Sequence, residues 1–166
     1  MKKLIILLST FLIISVSLYL FIFNALYPLK YKNEILIAAQ TYAVDPVLIA
    51  AVINAESSFK TNTISKKNAV GLMQLLPSTA ESLTDEAFDL FDPKTNITLG
   101  TKYLAYLIKK FKDVDTALFA YNAGEGNVLR WLSEQNKDKL QTCPFKETNA
   151  YVKKIKNSLK FYRNRI

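Results

Sequence analysis

The 166-residue sequence contains no histidine. This absence excludes a Ser-His-Asp triad, a zinc site built on imidazole and a switch that depends on histidine protonation. No other metal-ligand pattern takes their place, so we expect neither a metal nor a cofactor. Any catalysis must rest on carboxylates, tyrosine, lysine, serine or the lone cysteine.

Cysteine and strand signals are equally scarce. Cys143 is the only cysteine, so an intramolecular disulfide is impossible and the redox compartment is not indicated. No segment alternates apolar and polar residues between turn dipeptides, and no repeat or low-complexity stretch occurs, so we expect no substantial sheet. The length fits one globular domain with one appendage.

The appendage is an apolar N-terminal segment. The run from Leu4 to Phe23 has no charge, proline or glycine, and as a helix it is long enough to cross the hydrocarbon core of a bilayer. The residues after it are too large for a typical signal peptidase site, which favours a retained anchor over a cleaved signal. We therefore divide the chain into a membrane anchor, residues 1–27, and a globular domain, residues 28–166.

Flanking charges do not settle the topology of this anchor. Lys2 and Lys3 precede the apolar run, and Lys30 and Lys32 follow it as closely. A short basic N-terminus with the domain outside is the ordinary arrangement, which predicts a single-pass protein of the cell membrane with an extracytoplasmic domain. The domain would be secreted if the segment were cleaved.

The chain is basic, with a formal charge of +8. The cations are dispersed and no nucleic-acid motif accompanies them, so nucleic acid is not the expected partner. Anionic lipid headgroups and acidic wall polymers are the expected alternatives to a merely soluble basic surface. The stretch 151–166 is the most basic, and its apolar spacing predicts an amphipathic helix close to the membrane.

The rest of the sequence predicts helix after helix. Asp45-Pro46 and Asp92-Pro93 each combine an N-cap with a first-turn proline. The stretch 114–134 predicts two helices joined at Gly124 and Gly126. The fold class is therefore all-α.

Glu56 ends an almost unbroken apolar helix. Residues 47–53 are apolar on every side, which predicts that the helix is buried. Apolar surroundings and the helix C-terminus both favour the protonated form of Glu56, which a general acid for glycosidic cleavage needs. The alternative is an ordinary exposed acid that pairs with Lys60. No further Asp or Glu follows until Glu81, so no partner carboxylate is supplied locally.

Four motifs between residues 30 and 160 resemble those of lytic transglycosylases of the soluble lytic murein type. They occur in the family's order, which makes the resemblance specific. They are Glu56-Ser57 within "AVINAESSF", residues 71–74 as "GLMQ", residues 120–124 as "AYNAG" and residues 147–152 as "ETNAYV".

The resemblance implies a lysozyme-like helical domain that cleaves the β-1,4 bond between N-acetylmuramic acid and N-acetylglucosamine in peptidoglycan strands without water. Glu56 would first protonate the glycosidic oxygen. It would then act as a base on the muramoyl 6-hydroxyl, which closes onto C1 as a 1,6-anhydro ring. The substrate supplies the nucleophile, with help from its 2-acetamido group, so one carboxylate suffices.

The resemblance also implies roles for the residues around Glu56. Tyr151 would hold the catalytic carboxyl group. Gly71 and Gly124 would serve backbone turns, and Asn68, where the family has glycine, would still tolerate a left-handed conformation. The expected substrate-binding residues are Ser57, Ser65, Met73, Gln74, Tyr121 and Asn122, although Met73 and Tyr121 are also typical of core packing and Asn122 of backbone capping.

Glu147 is interpreted separately. It lies within the last motif and is easily mistaken for a second catalytic acid. Its place at the start of the last helix favours a structural role, because an acid there complements the helix dipole.

Three functions remain open from the sequence. The first is a membrane-anchored, monomeric lytic transglycosylase that remodels the cell wall. The second is a peptidoglycan hydrolase of the goose-lysozyme kind, and the third is an inactive glycan-binding module. The first two differ in their products, because a transglycosylase product is lighter by one water and lacks a reducing end.

Overall fold

The computed structural model describes residues 2–166, and Met1, the first residue of the predicted anchor, lies outside them. Residues 2–166 contain helices but no strand, apart from two isolated bridges that join Val70 to Ile64 and to Leu75. The all-α prediction is confirmed. The helices are α1 Lys2–Leu26, α2 Lys32–Tyr42, α3 Pro46–Ser57, α4 Pro77–Glu81, α5 Pro93–Phe111, α6 Val114–Ala123, α7 Glu125–Gln135 and α8 Lys146–Arg163.

Helix α1 is the candidate membrane span among the described residues. No residue of Lys2–Leu26 is buried, and its apolar side chains are exposed all round except at Phe23, which is half-buried. Its 25 residues extend about 37 Å at the helical rise, which exceeds the hydrocarbon thickness of a bilayer.

The predicted helix starts are confirmed, and the predicted joint between two helices is confirmed at Gly124 but not at Gly126. Asp45 Oδ1 accepts from Val47 N at 2.8 Å, and Asp92 Oδ2 accepts from Thr95 N at 2.8 Å. Gly124 alone separates α6 from α7, since its φ of +89° allows the chain to turn there. Gly126 lies inside α7 instead of in the joint.

Helix α3 forms the centre of the domain. Residues 49–53 are completely buried, and α3 packs against α2 and α8. Helix α5 packs against α2 and α6 on the far side of the same core. An apolar helix enclosed in this way fixes the position of Glu56 in its last turn.

Asn96 ties the loop between α3 and α4 to α5. This fully buried side chain accepts from Met73 N at 2.8 Å and donates to the carbonyl oxygens of Val70 and Leu90, at 2.9 and 2.8 Å. Gly71 lies against it with a φ of +81°, and a Cβ there would come within 2.2 Å of Asn96 Nδ2. The amide of Asn96 therefore attaches the loop that carries "GLMQ" to α5 through three hydrogen bonds.

We predict that Asn96→Ala lowers the free energy of unfolding by about 3 kcal/mol, because buried backbone groups lose their partners. Chemical unfolding of the chain in detergent micelles, followed by circular dichroism, measures the change. Asn62→Ala is the matched control, since Asn62 is exposed in the same loop. Equal stability of the two variants would contradict the proposed anchoring of the loop.

Candidate active site

Glu56 lines an open groove of about 680 Å³ between the 58–76 loop, the end of α6 and the start of α8. The groove brings together residues that lie far apart in the chain. It is lined by Ala55, Glu56, Ser65, Lys66, Lys67, Ala69, Gln74, Leu76, Tyr121, Asn122, Glu147, Ala150, Tyr151 and Lys154.

The protonation of Glu56 is set by burial. Loss of water raises the pKa of its carboxyl group to about 7 from an ordinary value of 4.5, against the opposing effects of the Tyr151 hydrogen bond and the Lys154 charge. Glu56 is therefore divided between its acid and carboxylate forms near neutral pH. A group with such a pKa can both give and take a proton during one reaction.

Tyr151 holds the carboxyl group of Glu56. Its hydroxyl donates to Glu56 Oε1 at 2.7 Å, and only 9% of the tyrosine is exposed. Burial, with the neighbouring Glu56 charge, raises the pKa of Tyr151 well above its usual range, so the phenol stays a donor. The structure thus brings together the two residues that the sequence assigns to catalysis.

Lys154 belongs to the groove but was not predicted from the sequence. Its ammonium group donates to the carbonyl oxygen of Ala55 at 3.0 Å and lowers the pKa of Glu56 through its charge. The available signal was its position three residues after Tyr151, which places both side chains on one side of α8.

The resemblance assigns sugar contacts to Tyr121 and Asn122, and this assignment stays a prediction. Both line the groove at the end of α6, and Tyr121 Oη donates to the carbonyl oxygen of Met73 at 2.8 Å. Burial and the charge of Glu56 raise the pKa of Tyr121 well above its usual range. The phenol therefore binds the "GLMQ" loop beside the groove.

The predicted contact of the Met73 side chain with substrate is wrong. Met73 has no exposed surface and does not line the groove. Its sulfur packs against Gly100, where a Cβ would come within 2.5 Å of it, and Thr101 Oγ1 lies 3.9 Å away. Core packing, the alternative left open from the sequence, is the observed role.

The predicted substrate contact of Ser57 is also wrong. Its hydroxyl is buried and hydrogen bonds to the carbonyl oxygens of Leu72, at 2.8 Å, and Ile53, at 3.2 Å. Ser57 therefore attaches the end of α3 to the loop beneath the groove.

Ser65 and Gln74 line the groove and also shape its loop wall. Ser65 Oγ accepts from the backbone nitrogens of Lys67 and Ala69, and Gln74 Nε2 donates to the carbonyl oxygens of Thr63 and Gly71. Gln74 has a φ of +49°, a conformation that these bonds maintain. Asn68, with a φ of +62°, adopts the left-handed conformation expected of it.

Glu147 lies in the first turn of α8, as predicted, and is exposed. It also lines the groove, which the sequence did not indicate. Within residues 2–166, no three acidic or cysteine side chains are grouped to hold a metal ion. The chemistry that this arrangement supports is proton transfer by Glu56.

The raised pKa of Glu56 predicts a pH-dependent stability. The folded chain keeps the proton of Glu56 up to about pH 7, whereas the unfolded chain loses it at about pH 4.5. The shifted pKa therefore has little effect on the free energy of unfolding below pH 4.5 and lowers it progressively between pH 4.5 and pH 7. We expect Glu56→Gln to match wild-type stability at pH 4.5 and to exceed it by about 3 kcal/mol at pH 8. Unfolding measured at both pH values tests this, and a constant difference between the two proteins contradicts it.

Comparison with known proteins supplies the family. Residues 33–143 match the family model described as Transglycosylase SLT domain. Over 82% of its length the chain is 33% identical to membrane-bound lytic murein transglycosylase C of Shigella sonnei. That alignment covers 47% of the relative, so the chain spans about half the length of this curated relative.

Solved structures show the same fold. The chain is similar to the 70-kDa soluble lytic transglycosylase of Escherichia coli, with a TM-score of 0.76 and 29% sequence identity. It is also similar to an inactive mutant of lytic transglycosylase Slt of Pseudomonas aeruginosa, with a TM-score of 0.73 and 27% sequence identity. Each match covers 84% of this chain and 25% of the other. The predicted lysozyme-like fold is confirmed, and this chain belongs to the transglycosylase SLT domain family.

Proposed function

We propose that this chain is a peptidoglycan lytic transglycosylase that cleaves the β-1,4 bond between N-acetylmuramic acid and N-acetylglucosamine without water. The contact that carries the proposal is the hydrogen bond of Tyr151 to Glu56, a half-protonated acid on the wall of an open groove. The family match and the names of the relatives support the same reaction.

In the first step, protonated Glu56 gives its proton to the glycosidic oxygen as the bond to C1 breaks. The 2-acetamido group of the substrate assists at C1. In the second step, the Glu56 carboxylate takes the proton of the muramoyl 6-hydroxyl while O6 bonds to C1 and displaces the acetamido oxygen that had bonded there. The products are a 1,6-anhydromuramoyl end and a free 4-hydroxyl, and Glu56 ends protonated, ready for another turnover.

Tyr151 acts as a positioning residue in this scheme. Its hydrogen bond directs the carboxyl group and favours the anionic form, which offsets part of the cost of burying that charge. Without this bond the carboxyl group would be less well directed and its pKa higher still, so it would give its proton to the glycosidic oxygen less readily in the first step.

The remaining groove residues bind the glycan strand. We assign this role to Ser65, Gln74, Tyr121 and Asn122, which line the groove, and withhold it from Ser57 and Met73, which are buried. Lys66 and Lys67 add positive charge to one wall, which complements the carboxylates of the peptide stems.

Residues 1–27 form the membrane anchor and residues 28–166 the catalytic domain. The apolar helix α1 and the membrane-bound relative support a retained single-pass anchor. The chain then acts as a monomer, with the groove on the extracytoplasmic side, where peptidoglycan lies.

Glu56→Gln is predicted to lower the rate of strand cleavage about 10³-fold or more, because the amide cannot transfer the proton. The full chain in detergent is incubated with peptidoglycan, and the products are weighed by mass spectrometry. Glu147→Gln removes a second carboxylate from the same groove and should cost less than about tenfold. Products that carry one additional water would assign the chain to the hydrolases instead.

Tyr151→Phe is predicted to lower kcat by about 10- to 100-fold with little change in KM, because a positioning contact is lost and binding is not. Removal of the hydrogen bond also raises the pKa of Glu56, so the pH profile of kcat moves to higher pH. A variant that changes only the melting temperature, with an unshifted profile, shows that Tyr151 serves packing alone.

A further inference from the structure

The C-terminal residues pack against and hydrogen bond to the end of α1. Arg165 donates to the carbonyl oxygen of Tyr27 and, at 3.2 Å, to Asn24 Oδ1. The ring of Phe161 lies 4.1 Å from that of Tyr27, and Tyr162 Oη donates to the carbonyl oxygen of Pro28 at 3.0 Å. The final turns of the chain thus enclose the residues at which the apolar helix ends.

Two further contacts complete this joint. The Arg165 guanidinium lies 5.4 Å from the centre of the Phe23 ring, and Asn54 Nδ2 donates to the carbonyl oxygen of Leu26 at 3.2 Å. These donors satisfy carbonyl groups that a helix end leaves without partners. The anchor is therefore attached to α3 and α8 by defined contacts and not by a free linker.

Bilayer dimensions place this joint at the headgroups. The run from Leu4 to Phe23 fills a hydrocarbon core of about 30 Å at the helical rise. Residues 24–28 then fall in the polar layer above it. Because Arg165 and Tyr162 hydrogen bond directly to these residues, the end of α8 lies at the same depth.

Basic side chains outnumber acidic ones at that depth. The two segments that form the joint, residues 24–34 and 160–166, carry one acidic side chain, Glu34, and five basic ones. These are Lys30, Lys32, Lys160, Arg163 and Arg165.

The exposed cations lie close to the joint. Lys160 and Arg163 are exposed and three residues apart, so they share one side of α8. Lys160 Nζ lies 4.9 Å from the centre of the Phe161 ring, which itself packs on Tyr27, and Lys32 Nζ donates to the carbonyl oxygen of Arg165 at 2.8 Å.

Folding, and not the local sequence, brings most of this charge to the anchor. The cations of α8 lie more than a hundred residues beyond α1, too far along the chain to count in the loop-charge rule for topology. Their position beside α1 has a physical consequence only once the domain is folded against the bilayer.

We propose that Lys30, Lys32, Lys160 and Arg163 form a cationic collar that binds the phosphate headgroups of anionic phospholipids around α1. The collar rests on the proposed retention of the anchor. The collar holds the groove close to the membrane. Asn54 of α3 contacts the end of α1, and Glu56 follows two residues later in the same helix, so Glu56 lies about one helix diameter from the end of the span. The strands within reach are therefore those next to the bilayer.

The test measures lipid binding by the full chain in neutral detergent micelles. Phosphatidylglycerol and phosphatidylcholine are titrated separately, and native mass spectrometry counts the bound lipid. We expect tighter binding of phosphatidylglycerol.

Each surface cation contributes about fivefold to the affinity for phosphatidylglycerol. The double variant Lys160→Gln with Arg163→Gln should therefore weaken this binding about 30-fold, and Lys30→Gln alone about fivefold. Binding of phosphatidylcholine should not change.

Lys137→Gln with Lys139→Gln is the matched control, because it removes two exposed cations from the loop before α8. Equal binding of the two lipids by the wild-type chain overturns the collar, as does full retention of phosphatidylglycerol by both collar variants at unchanged melting temperature. Turnover separates the two proposals. Glu56→Gln should lose cleavage and keep its lipid, whereas the collar variants should keep cleavage of small glycan fragments in micelles.

Discussion

The carboxyl group of Glu56 is buried at the cost of its ionisation, and the chemistry proposed for this chain depends on that constraint. Exclusion of water alone would make the acid too weak to release its proton readily, while an exposed carboxylate would hold none. The hydrogen bond from Tyr151 and the charge of Lys154 moderate the effect of burial, so the pKa settles at about 7. A single side chain can then serve as acid and as base.

The central helix α3 connects this constraint to the rest of the molecule. Its apolar residues lie at the centre of the core, its last turn carries Glu56, and its Asn54 side chain donates to the end of α1. Helix α8 makes the same connection from the other side, with Tyr151 at the groove and Arg165, just beyond its end, at the anchor. The proposed catalysis and the proposed attachment to the membrane therefore depend on the same two helices.

Local sequence predicted what depends on local chemistry. Helix starts at Asp45 and Asp92, the buried α3 and the left-handed Asn68 all follow from propensity and capping. The directions in which single side chains point do not follow from local sequence. Met73 and Ser57 point into the core because Gly100 leaves space for the methionine and the Leu72 carbonyl accepts from the serine, contacts that arise only when distant segments meet. Lys154 was not predicted for the same reason, because its contact with Ala55 forms only when α8 packs on α3.

The most direct measurement of the central claim is the ionisation of Glu56 itself. Glutamate labelled with ¹³C at the side-chain carboxyl is titrated by NMR in the full chain, and the Glu56 signal is identified by its absence from the Glu56→Gln variant. A midpoint near pH 7, displaced upward in Tyr151→Phe, is the expected result. A midpoint near 4.5 that does not respond to Tyr151 would contradict the account.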